Sequence, residues 1–227
     1  MQQANLYINK LLKSASKTHS GKVLDQLNKI IPFYWSLLSH EDLAERPEAQ
    51  FVETAARHLK LGSSRKAGNT KISVSENQDT EVFTIEIVTD DMPFLFDSVS
   101  TALHQMGYSI NIASHPVFWV QRNGRGTLQN IGNTALGKDH PNAAAEAFIH
   151  FEVSSGDGKT AKQLENAISE VLKNVNTVVE CWQAMRSKAA EIRFGLEQPY
   201  LPIDETERKQ ACAFLEWIED NNFTFIS

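Results

Sequence analysis

The hydrophobic positions change period twice along the chain. Up to about residue 61 they recur at helical spacing: Leu6, Ile8, Leu11 and Leu12, then Val23, Leu24, Leu27, Ile30 and Ile31, then Phe51, Val52, Ala55, Ala56 and Leu59, closed by Gly62. Pro32 is expected to break or kink the second helix, with Phe33 to Leu38 continuing it. The pattern predicts a layer of two to four helices, rather short to be stable alone and therefore packed on the strands C-terminal to it. From Thr70 the period becomes two. Ile72 and Val74 share one face of a strand over 70–75, and Phe83, Ile85 and Ile87 alternate with Thr84 and Glu86 over 81–89. Asp90-Asp91-Met92-Pro93 ends this strand. Pro93 suits the first turn of a helix, the acidic side chains beside it favour the helix dipole, and Phe94, Leu95, Val99, Leu103 and Met106 form a stripe that Gly107 stops. Tyr108 to Val120 reads as one long strand, Asn123-Gly124 as a tight hairpin and Thr127 to Ile131 as its return. Phe148 to Val153 alternates again, with Ile149, Phe151 and Val153 facing one way and His150 and Glu152 the other. After the turn Gly156-Asp157-Gly158, apolar positions from Leu164 to Met185 fit one long helical stripe. Val175 to Trp182 is β-branched enough to be a strand, but the 3–4 spacing favours helix. Asp204 with Glu207 is a capping-box signature ahead of a last helix carrying Ala211, Phe214, Leu215 and Ile218. Phe223-Thr224-Phe225-Ile226 starts an alternation that is cut off, which points to a piece of a longer protein.

The order β-β-α-β-β-α with antiparallel hairpins predicts an α+β fold: a ferredoxin-like antiparallel sheet with helices on one face, preceded by a small helical segment. The standard plan has a further strand after the second helix. No clear candidate is present, and the strand at 70–75 can fill that edge slot by pairing with 81–89. Glu86, His150 and Glu152 mark a sheet face that is solvated or meets a polar partner. The expected divisions are 1–69 (helical segment), 70–195 (the α+β domain) and 196–227 (a last helix and the start of the next domain).

Composition narrows the function classes. The 227 residues are 41% hydrophobic and 22% charged, an ordinary globular mixture. The net charge of −6 argues against a nucleic-acid binder, which is usually basic. The longest apolar run, Ile30 to Leu38, is far shorter than the roughly 20 residues a membrane helix needs, and the first 20 residues lack the apolar stretch of a signal peptide. Two cysteines, Cys181 and Cys212, form neither a disulfide framework nor a zinc pattern, so the cytoplasm is the expected compartment. Residues 1–70 hold ten Lys/Arg and six Asp/Glu, a net of +4, while the rest holds twelve and twenty-two, a net of −10. The sign changes near Gly62-Ser63-Ser64-Arg65-Lys66-Ala67-Gly68-Asn69, which reads as a linker.

Candidate chemistry is sparse. Gly156-Asp157-Gly158-Lys159-Thr160 lies where a phosphate loop would lie, but Val153 stands where that motif needs glycine, so a turn and a helix start are expected. Gly124-Arg125-Gly126 is followed by Gln129 where the dinucleotide fingerprint wants glycine. The seven histidines show no metal-ligand spacing. No catalytic, cofactor-binding or metal-ligating residue is assigned. The one candidate binding element is the strand-to-helix turn Asp90, Asp91, Met92, Pro93, Phe94 and Leu95, where free backbone N–H groups of a helix start could receive an amino-acid carboxylate. The competing reading of the same turn is a capped helix start.

These residues also carry a resemblance. Val88-Thr89-Asp90-Asp91-Met92-Pro93-Phe94-Leu95-Phe96-Asp97-Ser98-Val99, followed by Gly107-Tyr108 and His115-Pro116-Val117, resembles the N-terminal region of the large bacterial NAD-specific glutamate dehydrogenases, as does Phe214-Leu215-Glu216-Trp217 through Asn222-Phe223-Thr224-Phe225. The resemblance implies an ACT-like module at about 70–195. It also implies a parent that oxidises glutamate to 2-oxoglutarate and ammonia with NAD, through a dehydrogenase domain far downstream. The expected role of this chain is non-catalytic regulation and assembly, with no cofactor of its own, NAD serving the parent. The expected partners are the downstream domains, further copies in a homo-oligomer, and a possible amino-acid effector. Ligand-binding ACT modules usually read D-x-P-G at the turn. Phe94 stands in place of that glycine, where its side chain could fill or cap the pocket. The alternative function is a stand-alone amino-acid sensor using the same turn.

Overall fold

The computed structural model describes residues 2–36, 38, 43, 46–77, 80–133, 137, 142–154, 156–198 and 202–222. Phe223 to Ile226, read above as a truncated strand, lie outside the described residues. The chain divides into two compact units, 1–169 and 170–227.

The first unit opens with α1 (Gln2–Thr18), α2 (Gly21–Tyr34) and α3 (Glu48–Leu61). Their apolar stripes meet in one core: Leu11, Leu27, Ile30, Ile31 and Ala55 are fully buried, together with Val88, Phe118, Ile131 and Phe148 of the sheet. The helical layer therefore draws its stability from the sheet, as its shortness requires. Pro32 neither breaks α2 nor starts a new segment. It lies within the last turn, and the helix ends two residues later at Tyr34, so the backbone bond lost to proline disturbs no turn beyond it.

Among the described residues six strands form one antiparallel sheet: β1 (Lys71–Asn77), β2 (Val82–Asp90), β3 (Ser109–Ser114), β4 (Val117–Arg122), β5 (Leu128–Gly132) and β6 (Ala144–Ser154). The order is β1-β2-β6-β4-β5, with β3 also on β6. The edge slot is taken by β1, which pairs with β2 in the register Ile72↔Ile87 and Val74↔Ile85. At the centre, β6 pairs along its length with β2. On its other side it meets β4 through Val117↔Ala147 and β3 through Ala113↔Phe151.

Two further expectations are corrected. The long strand over 108–120 is two strands, interrupted at His115-Pro116, because proline cannot donate to the ladder. The Pro116 carbonyl still accepts from Phe148 N–H at 2.9 Å, which keeps both halves on the same partner. The hairpin after β4 is not a two-residue turn at Asn123-Gly124 but a five-residue loop. The Asn123 side-chain oxygen accepts from Arg125 and Thr127 N–H at 3.0 Å each, and the left-handed position is Gly126, φ 84°. A Cβ on Gly126 would stand 2.6 Å from the Arg65 carbonyl, so only glycine admits this approach.

Alternation sorts the sheet's side chains to two buried faces. Val88 and Phe148 lie toward α1–α3. On the opposite face Ile85, Ile87, Ile149, Phe151 and Val153 are fully buried. The helix α4 (Leu95–Gln105) follows β2. It buries Leu95, Val99 and Leu103, and Phe96 stacks on Phe151 with ring centroids 5.1 Å apart. After β6, Thr160 and Gln163 cap each other reciprocally, Thr160 N–H to Gln163 Oε1 at 2.9 Å and Gln163 N–H to Thr160 Oγ1 at 3.3 Å. There α5 (Ala161–Leu196) begins, and Leu164 and Ile168 in its first turns are fully buried. Gly156 to Thr160 is thus a turn and a helix start. Val175 to Trp182 is helical.

The second unit contains the rest of α5, then α6 (Glu205–Trp217) and a π-helical turn over Ile218–Asn222. Asp204 caps α6 by accepting from Thr206 and Glu207 N–H at 2.8 and 3.2 Å. Arg193 ties the end of α5 to Glu219 (2.9 Å) and Glu197 (2.7 Å). Cys181 and Cys212 are half-buried free thiols. No described helix is long and apolar enough to cross a membrane.

Candidate functional site

The turn 90–95 leaves the end of β2 and enters α4. Helix α4 starts at Leu95 rather than at Pro93, and its N-cap is Phe94, whose φ of 70° and ψ of −4° place it in the left-handed region. That conformation costs a side-chain-bearing residue about 1–2 kcal/mol. Phe94 gives the helix no side-chain cap hydrogen bond. Asp91, Pro93 and Phe94 are exposed, Met92 is half-buried, and Leu95 points into the core at 2% exposure. Asp91 N–H donates to the Ala145 carbonyl at 3.1 Å. Beside the turn, His115 stacks on Phe96, centroids 5.5 Å apart with planes 3° from parallel. Burial lowers the His115 pKa, against the opposing charges of Asp91 and Asp97.

Asp90 is already occupied. Its Oδ1 accepts from Arg65 Nη2 at 2.5 Å and its Oδ2 from Gly68 N–H at 2.6 Å. The same Arg65 nitrogen lies 2.6 Å from Glu146 Oε1, and Arg122 grips Glu146 with Nε and Nη2, both at 2.7 Å. Arg65 and Glu146 side chains are each 1% exposed. The linker thus runs through a buried ion network joining the ends of β2, β4 and β6. It is reinforced by Arg65 N–H to Gly126 carbonyl at 2.9 Å and Leu128 N–H to Ser63 carbonyl at 2.9 Å.

The polar sheet face is not solvated. The chain's own helices cover it, and its polar partners are two arginines. Arg57 of α3 sends Nε and Nη2 to Glu86 Oε1 at 3.0 and 2.9 Å, and Glu86 is 2% exposed. Arg46 reaches Glu152 Oε2 at 2.5 Å. Burial alone would raise the Glu152 carboxyl, but the His150 ring at 3.5 Å and the Arg46 guanidinium hold it at about 2. Both nitrogens of the fully buried His150 lack a hydrogen-bond partner among the described residues. Next to it, His58 Nε2 bonds the Ile87 carbonyl at 3.0 Å and Nδ1 bonds Tyr34 Oη at 2.5 Å. A carbonyl can only accept, so Nε2 carries the hydrogen and Tyr34 donates to Nδ1. Desolvation, then the neighbouring His150, pushes the His58 pKa down to about 3. Trp35 packs edge-on against Phe51 and His150, with centroids at 5.0 and 5.6 Å.

A cleft of about 420 Å³ opens beside this cluster, between α3 and the β1–β2 end of the sheet. Sequence reasoning missed it. Arg46 and Arg57 lie on the helical segment, far in sequence from Glu152 and Glu86, and no local period joins them. The only available signal was the unexplained acidic alternation on β2 and β6.

Residues 31–168 match the family described as "Glutamate dehydrogenase, ACT1 domain". Over 225 residues the chain is 30% identical to the NAD-specific glutamate dehydrogenase of Pseudomonas aeruginosa, covering 95% of this chain and 14% of that protein. The enzyme of the same name from Halomonas elongata is 31% identical over 151 residues, covering 66% of this chain and 9% of that one. The one from Mycobacterium tuberculosis is 28% identical over 173 residues, covering 74% and 10%. The chain therefore spans no more than about a seventh of the length of these relatives.

Proposed function

The chain belongs to the glutamate dehydrogenase ACT1-domain family, and from that premise we propose that it is a non-catalytic N-terminal segment serving regulation and assembly in a large NAD-dependent glutamate dehydrogenase. In this reading the parent converts L-glutamate to 2-oxoglutarate and ammonia in the cytoplasm with NAD bound elsewhere. The present chain holds downstream domains and further copies in place. The observation that supports this most is how the converging charges are used. Arg65 and Arg122 on Glu146, Arg65 on Asp90, Arg57 on Glu86 and Arg46 on Glu152 each fasten one element to another. Such pairs fix geometry and leave those groups committed, as befits a scaffold. The test is to supply the purified chain with L-glutamate and NAD and follow NADH absorbance. No reduction is expected, and steady turnover by this chain would overturn the reading.

A further inference from the structure

The second unit carries little core of its own. Among its described residues the buried apolar side chains are Leu172, Val175, Ala189 and Ile218, and α6 buries none of its 13 residues. Helices shorter than roughly 12–15 residues are marginal in water unless an apolar face is packed. Of the ten large apolar side chains left exposed among the described residues, five stand between 192 and 217: Ile192, Phe194, Ile203, Phe214 and Trp217. The other five are spread from Leu6 to Val117, and scattered exposure of that kind is ordinary, whereas a cluster marks an interaction surface. In α6, Phe214 is 60% and Trp217 49% exposed, and their rings stack with centroids 6.2 Å apart and planes 16° from parallel. The helix turns another side to α5, since Arg208 Nη1 donates to the Glu197 carbonyl at 3.1 Å. At about 3.6 residues per turn, Trp217 lies half a turn around from Arg208 and Phe214 a third of a turn. Acidic groups border the aromatic pair. Lys209 is taken by Glu205 and Arg193 by Glu219 and Glu197, while the exposed Glu207 and Glu216 have no ion-pair partner among the described residues.

The family match stops at residue 168, at the edge of the first unit, while the likeness to the Pseudomonas aeruginosa enzyme covers 95% of this chain and so runs on through the second. The second unit is therefore family sequence outside the ACT1 module. The matched stretch is 14% of that enzyme, so most of such a parent lies beyond it. We propose that the Phe214–Trp217 face of α6 docks onto another part of the parent polypeptide, seated in an apolar groove whose rim carries lysine or arginine opposite Glu207 and Glu216. Apolar anchors one helical turn apart are how an amphipathic helix enters such a groove. A partner on the same polypeptide meets the helix at an effective concentration on the order of millimolar, which favours it over a second copy in free solution. The inference rests on the reading of this chain as a segment of a larger dehydrogenase, and it assigns that segment's contact with the rest to one helix face.

The test is hydrogen–deuterium exchange, read by mass spectrometry, on the full-length parent and on the 227-residue chain. Amides of 205–217 are expected to exchange about tenfold or more slowly in the parent, with β6 protected in both as the reference. Phe214→Gln with Trp217→Gln removes the aromatic face and keeps helix-forming residues at exposed positions. Glu207→Lys with Glu216→Lys reverses the charge beside it. In the parent each double variant should abolish most of the difference and leave β6 protected. The proposal is overturned if α6 exchanges at the same rate in parent and chain, or if either double variant keeps the full protection. It is equally overturned if the 227-residue chain alone gains that protection as its concentration rises, which would make the occupant a second copy. An unprotected α6 in a parent that still loses its oligomer without this segment would sink the inference and spare the scaffold reading, so the two failures are distinguishable.

Discussion

Replacing Glu146 with alanine removes the keystone of the linker network. Its two oxygens take three guanidinium contacts, 2.7 and 2.7 Å from Arg122 and 2.6 Å from Arg65. Arg65 is 1% exposed, so water cannot replace the lost carboxylate, and only Asp90 remains opposite it. Breaking a buried pair in this way costs about 3–5 kcal/mol, because an uncompensated charge stays behind. A domain of this kind holds roughly 5–15 kcal/mol in total. For roughly 150–250 residues each kcal/mol moves Tm by about 2–4 °C, so Glu146→Ala should lower Tm by about 6–20 °C. Asp90→Asn is the internal comparison. Its side chain is 34% exposed, so solvent screens it and the loss should be nearer 1 kcal/mol. Urea denaturation followed by circular dichroism gives both numbers. A Glu146→Ala variant within about 0.5 kcal/mol of wild type would refute the claim that this network fastens the linker to the sheet.

Three further outcomes are expected. Phe94→Gly relieves the left-handed strain, so it should be more stable than Phe94→Ala by about 1 kcal/mol in urea denaturation; equal stabilities would mean the backbone is not strained there. His58 stays neutral in the folded protein down to about pH 3, while the unfolded chain takes up a proton near pH 6.5. Stability should therefore fall as pH drops below 6.5, by about 1.4 kcal/mol per unit, and a His58→Gln variant should show a shallower decline between about pH 7.5 and 5; parallel curves would count against a buried neutral histidine. Deleting residues 70–75 uncovers the edge of β2, so light scattering should report association, and a soluble monomer would argue that this edge needs no cover.

The parts of the fold legible in the sequence are those with a short period. Ile85 and Ile87 against Ile149 and Phe151 announce their strands by alternation, and the segment at 70–75, read as able to fill the edge slot beside 81–89, is the strand β1 that pairs with β2. What alternation cannot supply is the partner of a face. Glu86, His150 and Glu152 read correctly as one polar face, yet the side chains that cover it arrive from Arg57, Trp35 and Arg46, by contacts that come from tertiary packing alone. The same limit applies at the turn. Asp90 looks available for a ligand until the linker folds back and Arg65 takes its carboxylate. Proline at 93 marks a helix start to within two residues, but only the backbone reveals that Phe94 occupies a left-handed position. The interruption at His115-Pro116 was hidden because the apolar alternation runs on through both halves.

The most direct test of the scaffold reading uses the full-length parent dehydrogenase with and without this segment. Mass photometry would read the assembly, and steady-state kinetics would read turnover and its response to amino acids. Loss of the parent's oligomer or of its effector response is expected, with glutamate- and NAD-dependent chemistry persisting in the truncated enzyme. An unchanged oligomer together with an unchanged effector response would contradict the account.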